Sequence, residues 1–241
     1  NYLADNRVAM GEVAQRLLEG RVEAESDATV KLVDWDPEAE TKMIAAMLTP
    51  HSHLSDATLL AEVAAMSADD RRAVVKAYVG QRANRRHKPG RGLERVNYRF
   101  EVVADYGAFR DLQRHRMMTI EWQNLTPHHG YLRPDEVDAA DATEAYDRAM
   151  ATSAGPHAAL ARKPPDRAAY AVALGYRARF VMNLNAREAM HLTELRSAPQ
   201  GHASYWVVAQ QMHRLIGEQA GHRLVADMMS YVDHGSSVEL E

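Results

Sequence analysis

Two groups of cationic side chains hold the residue types best able to do chemistry in this sequence. One is the triplet Arg114-His115-Arg116, and the other gathers Asn185, Arg187, His191 and Arg196. Arginine presents a planar fork of N–H donors that matches phosphate, and two arginines on neighbouring turns can clasp a diphosphate. Taken alone, the triplet fits a solvated helix face better than a ligand site. The segment Arg82-Ala-Asn-Arg-Arg-His-Lys-Pro-Gly-Arg-Gly is the most basic stretch of the chain, and its Pro and Gly content predicts a loop. His51/His53 and His128/His129 lack the Asp/Glu-rich partners of a hydrolytic metal centre, so no metal site is expected.

Composition narrows the classes. There is no cysteine, which excludes disulfides, thiolate metal sites and a cysteine nucleophile. The formal net charge of −4, from 29 basic and 33 acidic residues, gives no general attraction to a nucleic acid polymer or an anionic membrane. That acidity, with only three phenylalanines for base stacking, argues against an RNA-binding module built on loop 82–95. No apolar run approaches the roughly 20 residues of a membrane helix, and no signal peptide opens the chain, so a cytoplasmic protein is expected. The chain begins at Asn1 without methionine and ends on Val238-Glu239-Leu240-Glu241, which predicts a piece of a longer protein with an appended tail.

Periodicity supplies the elements that must position these groups. Val8, Val13, Leu17 and Leu18 predict a helix over 8–20, Thr29–Asp34 a strand, and Asp36-Pro37 the start of a helix through Met47. Ser55 or Asp56 and Ser67 read as helix caps. Val96, Tyr98, Phe100 and Val102 alternate with polar residues as in a half-buried strand. A helix from Tyr106 to Met118 is expected to carry the triplet on its later turns. After a loop over 127–134, helices are expected over 135–152, over 166–182 with Arg177 and Arg179 near the end, and over 185–196, with a linker over 155–165. A last helix carries Val207, Val208, Met212, Leu215 and Ile216. The fold class is α+β with helices dominant.

Arg-His-Arg after a strand–helix unit, followed by Asn185-Ala186-Arg187, Glu194-Leu195-Arg196 and His202-Ala203-Ser204-Tyr205-Trp206, resembles the flavin-dependent thymidylate synthases over roughly residues 28–230. The resemblance implies that family's fold, a central antiparallel sheet with surrounding helices, in a domain at 28–235. A helical extension at 1–27 and a tail at 236–241 flank it. It implies FAD held by Arg114, His115, Arg116, Asn185, Arg187, His191 and His202, with His87 a further flavin candidate. Arg196 would be the catalytic residue that polarises the pyrimidine. NADPH and methylenetetrahydrofolate would be co-substrates in converting dUMP to dTMP, and the assembly a homotetramer or dimer with shared sites.

Departures from the pattern fall on positions that in the family touch deoxyuridylate. Asp111 replaces a glutamine, Asn124 a serine, and Thr126 and Ala169 arginines. Each lost charge-assisted hydrogen bond is worth about 1.5–3 kcal/mol, so weakened nucleotide binding is expected. The contrasting reading is a non-catalytic FAD- or nucleotide-binding domain that forms the structural half of a tandem assembly.

Overall fold

The computed structural model describes residues 1–21, 29–160 and 165–235. Its sheet has four strands, β1 (Val30–Trp35), β2 (Asn97–Asp105), β3 (Met118–Trp122) and β4 (Arg177–Asn185), in the order β1-β2-β4-β3 with every neighbouring pair antiparallel. The helices are α1 (Tyr2–Leu18), α2 (Ala39–Leu48), α3 (Asp56–Ala65), α4 (Ala68–Val79), α5 (Tyr106–Leu112), α6 (Asp135–Ala139), α7 (Thr143–Leu160), α8 (Ala186–Arg196), α9 (Ala203–Glu218) and α10 (Arg223–Met228). This is the α+β architecture expected from the sequence.

Alternation decides which face of the sheet is buried. Tyr98, Phe100, Val102 and Ala104 of β2 share an interior face with Ala178, Phe180, Met182 and Leu184 of β4, and α2, α8 and α9 supply the opposing apolar layer. Phe100 lies opposite Met182, so the two longest strands contribute their largest side chains at the same level. The helix starts follow capping chemistry. Ser55 accepts from the Thr58 N–H, Ser67 from Asp70 and Asp105 from Ala108, each satisfying a donor with no partner inside its helix. A smaller apolar cluster of Met150, Val172 and Tyr176 holds α7 against the segment before β4.

Several expectations are corrected. Residues 177–185 form a strand and not the end of a helix over 166–182, because Ala178, Phe180, Met182 and Leu184 alternate and zip against β2. Only a 3-10 segment, Pro165–Ala171, precedes it. The helix expected over 135–152 is two helices, broken near Asp141, whose φ of 52° is left-handed. Gly155 and Pro156 lie within α7 and not in a linker. Helix α1 starts at Tyr2, before the expected 8, stops at Leu18, before the expected 20, and has no buried residue. The expected tail at 236–241 and the end of the expected extension lie outside the described residues. Among the described residues no helix is long and apolar enough to cross a membrane.

The core contains a titratable pair beneath the sheet, the Tyr98 hydroxyl and His222 Nδ1, 2.9 Å apart. Burial pulls His222 below its ordinary value of 6.5 and pushes the tyrosine up. The folded protein therefore keeps the ring neutral while the unfolded chain takes up a proton below about 6.5. Stability is fully present above that pH and falls as pH drops toward the lowered folded-state value. Gln at position 222 keeps an acceptor for the tyrosine and does not titrate. Urea unfolding at pH ~7 and ~5 should show a smaller loss of stability for His222→Gln than for the natural protein. Part of the slope persists through His191 and His234, which burial lowers in the same direction. Equal slopes for the two proteins would refute this account of His222.

Candidate functional site

The sheet register explains how the two cationic groups meet. Antiparallel pairing sets Asn97 opposite Asn185 and Asp105 opposite Arg177, so β2 ends where β4 begins. Helix α5 then carries the chain back, and β3 starts at Met118 opposite Leu184. The connection delivers Arg114-His115-Arg116 to the end of the sheet where Asn185 caps α8. The triplet lies in this connection and not on the later turns of a helix, because α5 stops at Leu112 with Gln113 as its C-cap. Phe109 and Leu112 are buried, but Met117 is exposed, and the β-branched pair Thr119-Ile120 enters the sheet.

His115 is the buried member of the triplet, with a side chain 3% exposed. Its Nε2 accepts from Arg196 Nε at 3.1 Å, and its Nδ1 lies 2.8 Å from Glu188 Oε1. A guanidinium can only donate. The neutral ring therefore carries its hydrogen on Nδ1, gives it to Glu188, and offers Nε2 to the arginine. Arg196 NH2 donates to the Asp111 carbonyl at 2.8 Å, its NH1 lies 3.7 Å from the Asp111 carboxylate, and its guanidinium lies over the Tyr205 ring at 5.2 Å. Three neighbours thus hold one face and one edge of Arg196, which is largely buried at 14% side-chain exposure.

The other predicted residues divide by environment. Arg114 is 71% exposed and pairs with Asp111 at 3.2 Å. Arg116 is exposed and makes no ion pair among the described residues. Asn185 is spent on structure, since its side chain accepts from the Glu188 N–H at 2.9 Å. Arg187 Nε donates to the Pro89 carbonyl and NH1 lies 3.4 Å from Glu94, which ties α8 to loop 82–95. His191 stands 5.2 Å ring to ring from His115, and burial together with the Lys88 charge holds it neutral more firmly than a free histidine. His202 caps α9 through Nδ1, which accepts from the Ser204 N–H. His87 is exposed and folds onto its own loop, accepting from the Ala83 N–H. The structure thus joins His115, His191 and Arg196, sets Arg114 beside them through Asp111, and leaves His202 next to Tyr205, the ring over which Arg196 lies.

Glu188 carries no signal in the sequence analysis, and Tyr205, Arg85 and Lys88 stand there only inside longer segments with no site role of their own. Asn185-x-x-Glu188 has the spacing of a capping box, in which the acid would turn back to the cap. Here that carboxylate turns inward to His115. Arg85, Arg86, Lys88, His191 and Glu194 line a pocket of about 260 Å³. A larger cavity of about 980 Å³ lies between the first turn of α9, the end of β2 and the start of β4, lined by Arg133, Arg177, His202 and Ser204 among others.

Within the described residues one group, His115, Glu188 and His191, brings metal-ligating atoms together, all within 4.8 Å. Geometry argues against a cation there, because Nδ1 of His115 holds the hydrogen that Nε2 cannot carry while it accepts from Arg196. The pairs His51/His53 and His128/His129 form no such group.

Loop 82–95 is held by a buried ion pair. Arg82 donates two hydrogen bonds of 2.6 Å to Glu194, binds the carbonyls of His87 and Met228, and stacks on Tyr231, with side chains 4% and 2% exposed for the pair. Gly90 and Gly92 let the loop close over Tyr78, whose hydroxyl accepts from the Gly92 N–H, and a Cβ at Gly90 would strike that oxygen. Removing one ion strands the other, which costs about 3–5 kcal/mol, whereas removing both is milder. Arg82→Met and Glu194→Met should each lower the urea midpoint sharply, and the double variant should be less destabilised than the sum. Additive losses in this cycle would contradict a coupled pair.

Comparison with known proteins places this geometry. The profile of the family described as thymidylate synthase complementing protein matches residues 31–220. A UPF0159 protein of Chlamydia pneumoniae is 38% identical over 192 residues, 80% of this chain and 36% of the relative. The UPF0159 protein of Chlamydia muridarum is 35% identical over 237 residues, 98% of this chain and 44% of the relative. UPF0159 protein Ta1429 of Thermoplasma acidophilum is 35% identical over 211 residues, with shares of 86% and 42%. This chain spans less than half the length of these relatives. The crystal structure of a UMP/dUMP methylase PolB from Streptomyces cacaoi, bound with 5-Br dUMP, superposes with a TM-score of 0.66 at 17% identity, covering 87% of this chain and 97% of that one.

Proposed function

We propose, from the premise that this chain belongs to the thymidylate synthase complementing protein family, that it binds FAD and takes part in the reductive methylation of a uracil nucleotide, dUMP or UMP. The observation that carries this reading is Arg196, a guanidinium fixed along one edge and one face, with N–H groups left to donate. Such a group suits a pyrimidine carbonyl, where charge develops during attack at the ring. The solved neighbour bound with 5-Br dUMP supports the ligand class.

The residues present fit a flavin dinucleotide. Arg114, Arg116 and Arg187 are cations near one end of the sheet and suit a diphosphate, and neutral His191 can donate to or accept from a heterocycle. The cavity beside His202 is within the size range of cofactor sites, but it lies at the Asp105/Arg177 end of the sheet and of the predicted flavin residues only His202 lines it. When bound and reduced by NADPH, the flavin supplies the hydride, and methylenetetrahydrofolate supplies the carbon. Arg196 orients and polarises the pyrimidine, and Tyr205 shields one face of that guanidinium from water. Asp111 has a different part from the one its charge suggests, since both Arg114 and Arg196 lie against its carboxylate and neutralise it. Thr126 caps the turn at 127–129, and Asn124 is exposed in the loop after β3. Neither supplies the cation that a nucleotide phosphate needs, so the phosphate must find cations elsewhere, in this chain or in a second copy. Completion of the site by a neighbouring copy, in a dimer or tetramer, belongs to the same proposal, as does a cytoplasmic setting.

A second reading has one observation in its favour. Because the chain covers less than half of the relatives it matches, a non-catalytic, FAD- or nucleotide-binding half of a longer protein is the alternative.

One set of measurements separates them. The purified protein should carry a flavin absorbance through gel filtration and oxidise NADPH when methylenetetrahydrofolate and either dUMP or UMP are present. Arg196→Lys should lower nucleotide-dependent turnover on the order of 100-fold while leaving the flavin spectrum. Bound flavin without nucleotide-dependent turnover would favour the non-catalytic half. A colourless protein that takes up neither FAD nor nucleotide would sink both.

A further inference from the structure

Glu188 has no role in the reading above, yet it is a carboxylate only 8% exposed on the side chain. Among the described residues its one hydrogen bond to a side chain runs to His115 Nδ1, a residue 73 positions away, at 2.8 Å. Three features make the anion tolerable there. It sits in the first turn of α8, whose N-terminal N–H groups favour negative charge. The His115 N–H points at it, and the Lys88 charge acts on it through space.

A neutral imidazole chooses between two tautomers, and its surroundings decide. Without an acceptor at Nδ1, the hydrogen could move to Nε2. There it would face the N–H of Arg196, two donors would oppose each other, and the 3.1 Å bond to Arg196 would be lost. The carboxylate is what makes Nε2 a lone-pair site. The arginine would keep its hold on Asp111 and its stacking on Tyr205, but one of its two hydrogen-bonded anchors would be gone.

We infer that Glu188 is a positioning residue which, by fixing His115 in the Nδ1–H tautomer, aims the Arg196 guanidinium at the pyrimidine subsite. The chain of contacts is Glu188 to His115, His115 to Arg196, and Arg196 to the Asp111 carbonyl, so both ends of α8 are tied to the stretch 111–115. The inference deepens the reading of Arg196 as the pyrimidine contact and rests on it. It gives His115 of the triplet a task its burial allows, since both ring nitrogens are occupied within the chain.

The test reads the ring and the arginine without substrate, then reads the reaction. In the natural protein at neutral pH, nitrogen NMR should show His115 in the Nδ1–H form and a slowly exchanging Arg196 Nε–H, assigned with His115→Asn and Arg196→Lys. Glu188→Ala should lose the tautomer preference and the protection of Arg196 Nε–H, whereas Glu188→Gln, which keeps an acceptor, should retain both. In the flavin- and nucleotide-dependent assay, Glu188→Ala should lower kcat on the order of 100-fold, the scale expected for a misaimed group. FAD affinity should be nearly unchanged, and Glu188→Gln should recover most of the rate.

An Nε2–H or doubly protonated ring in the natural protein overturns the inference and needs no variant, so it decides the matter even if Glu188→Ala does not fold. An unchanged Arg196 signal or an unchanged kcat in a folded Glu188→Ala protein overturns it too. If the natural protein shows no nucleotide-dependent turnover while the tautomer and the Arg196 signal behave as described, the proposed function fails and the positioning of Arg196 stands.

Discussion

The antiparallel pairing of β2 with β4 is the constraint from which the rest of the site follows. Nine consecutive pairs, from Asn97 with Asn185 to Asp105 with Arg177, fix where both strands end. Each strand runs into a helix capped by its own last residue, Asp105 for α5 and Asn185 for α8. Because the strands oppose each other, those helices begin at opposite ends of the sheet. Short α5 then returns the chain to the α8 end, where β3 pairs Met118 with Leu184. A one-residue slip in register would turn the buried face outward and also part His115 from Glu188. Core packing and site assembly therefore depend on the same alignment.

Electrostatics gives that end of the sheet its character. Anions that would cancel its cations are already committed: Glu194 to Arg82, Glu188 to the His115 N–H, and the Asp111 carboxylate to Arg114 and Arg196. The overall charge is negative, but Arg85, Arg86 and Lys88 remain around the small pocket with His191 between them and the buried ring of His115. A net-acidic protein can thus hold an anion-seeking site, because field strength near a ligand is set by neighbours within a few ångströms, and distant surface charges are screened. The buried Arg82–Glu194 pair adds organisation more than stability, because it fixes the loop that presents those cations.

The legible parts of the fold were those with local causes. The β2 alternation, the serine caps at positions 55 and 67, and the start of α8 at Asn185 are short-range patterns, and the structure shows each of them. Strand β4 was misread because its alternating residues follow an alanine-rich stretch that suits a helix, and only pairing with β2 reveals their period. Helix α5 was carried too far because Phe109 and Leu112 continue a helical stripe that ends when β3 finds a partner. In the site, residue types were legible and roles were not. Arginine and histidine in two motifs marked the place, but nothing local in the sequence says that His115 turns inward or that Glu188 meets it across 73 positions.

The departures from the family pattern gain a physical meaning from this geometry. Read as a list, an aspartate at position 111 is a charge placed where a phosphate would be repelled. In the fold its carboxylate sits between two guanidinium groups, and its carbonyl accepts from one of them. A glutamine there could not balance two cations. With Asp111 present, the charges of Arg114 and Arg196 are partly neutralised before any ligand arrives, so the candidate site is less cationic near Arg196 and more so around Arg116 and Lys88. The substitutions move positive charge away from one part of the site and leave it in another. On the proposed reading, a nucleotide bound here gains its orientation from Arg196 and its charge recognition from different residues, because the cations beside Asp111 are already paired while Arg85, Arg86 and Lys88 stand around the neighbouring pocket.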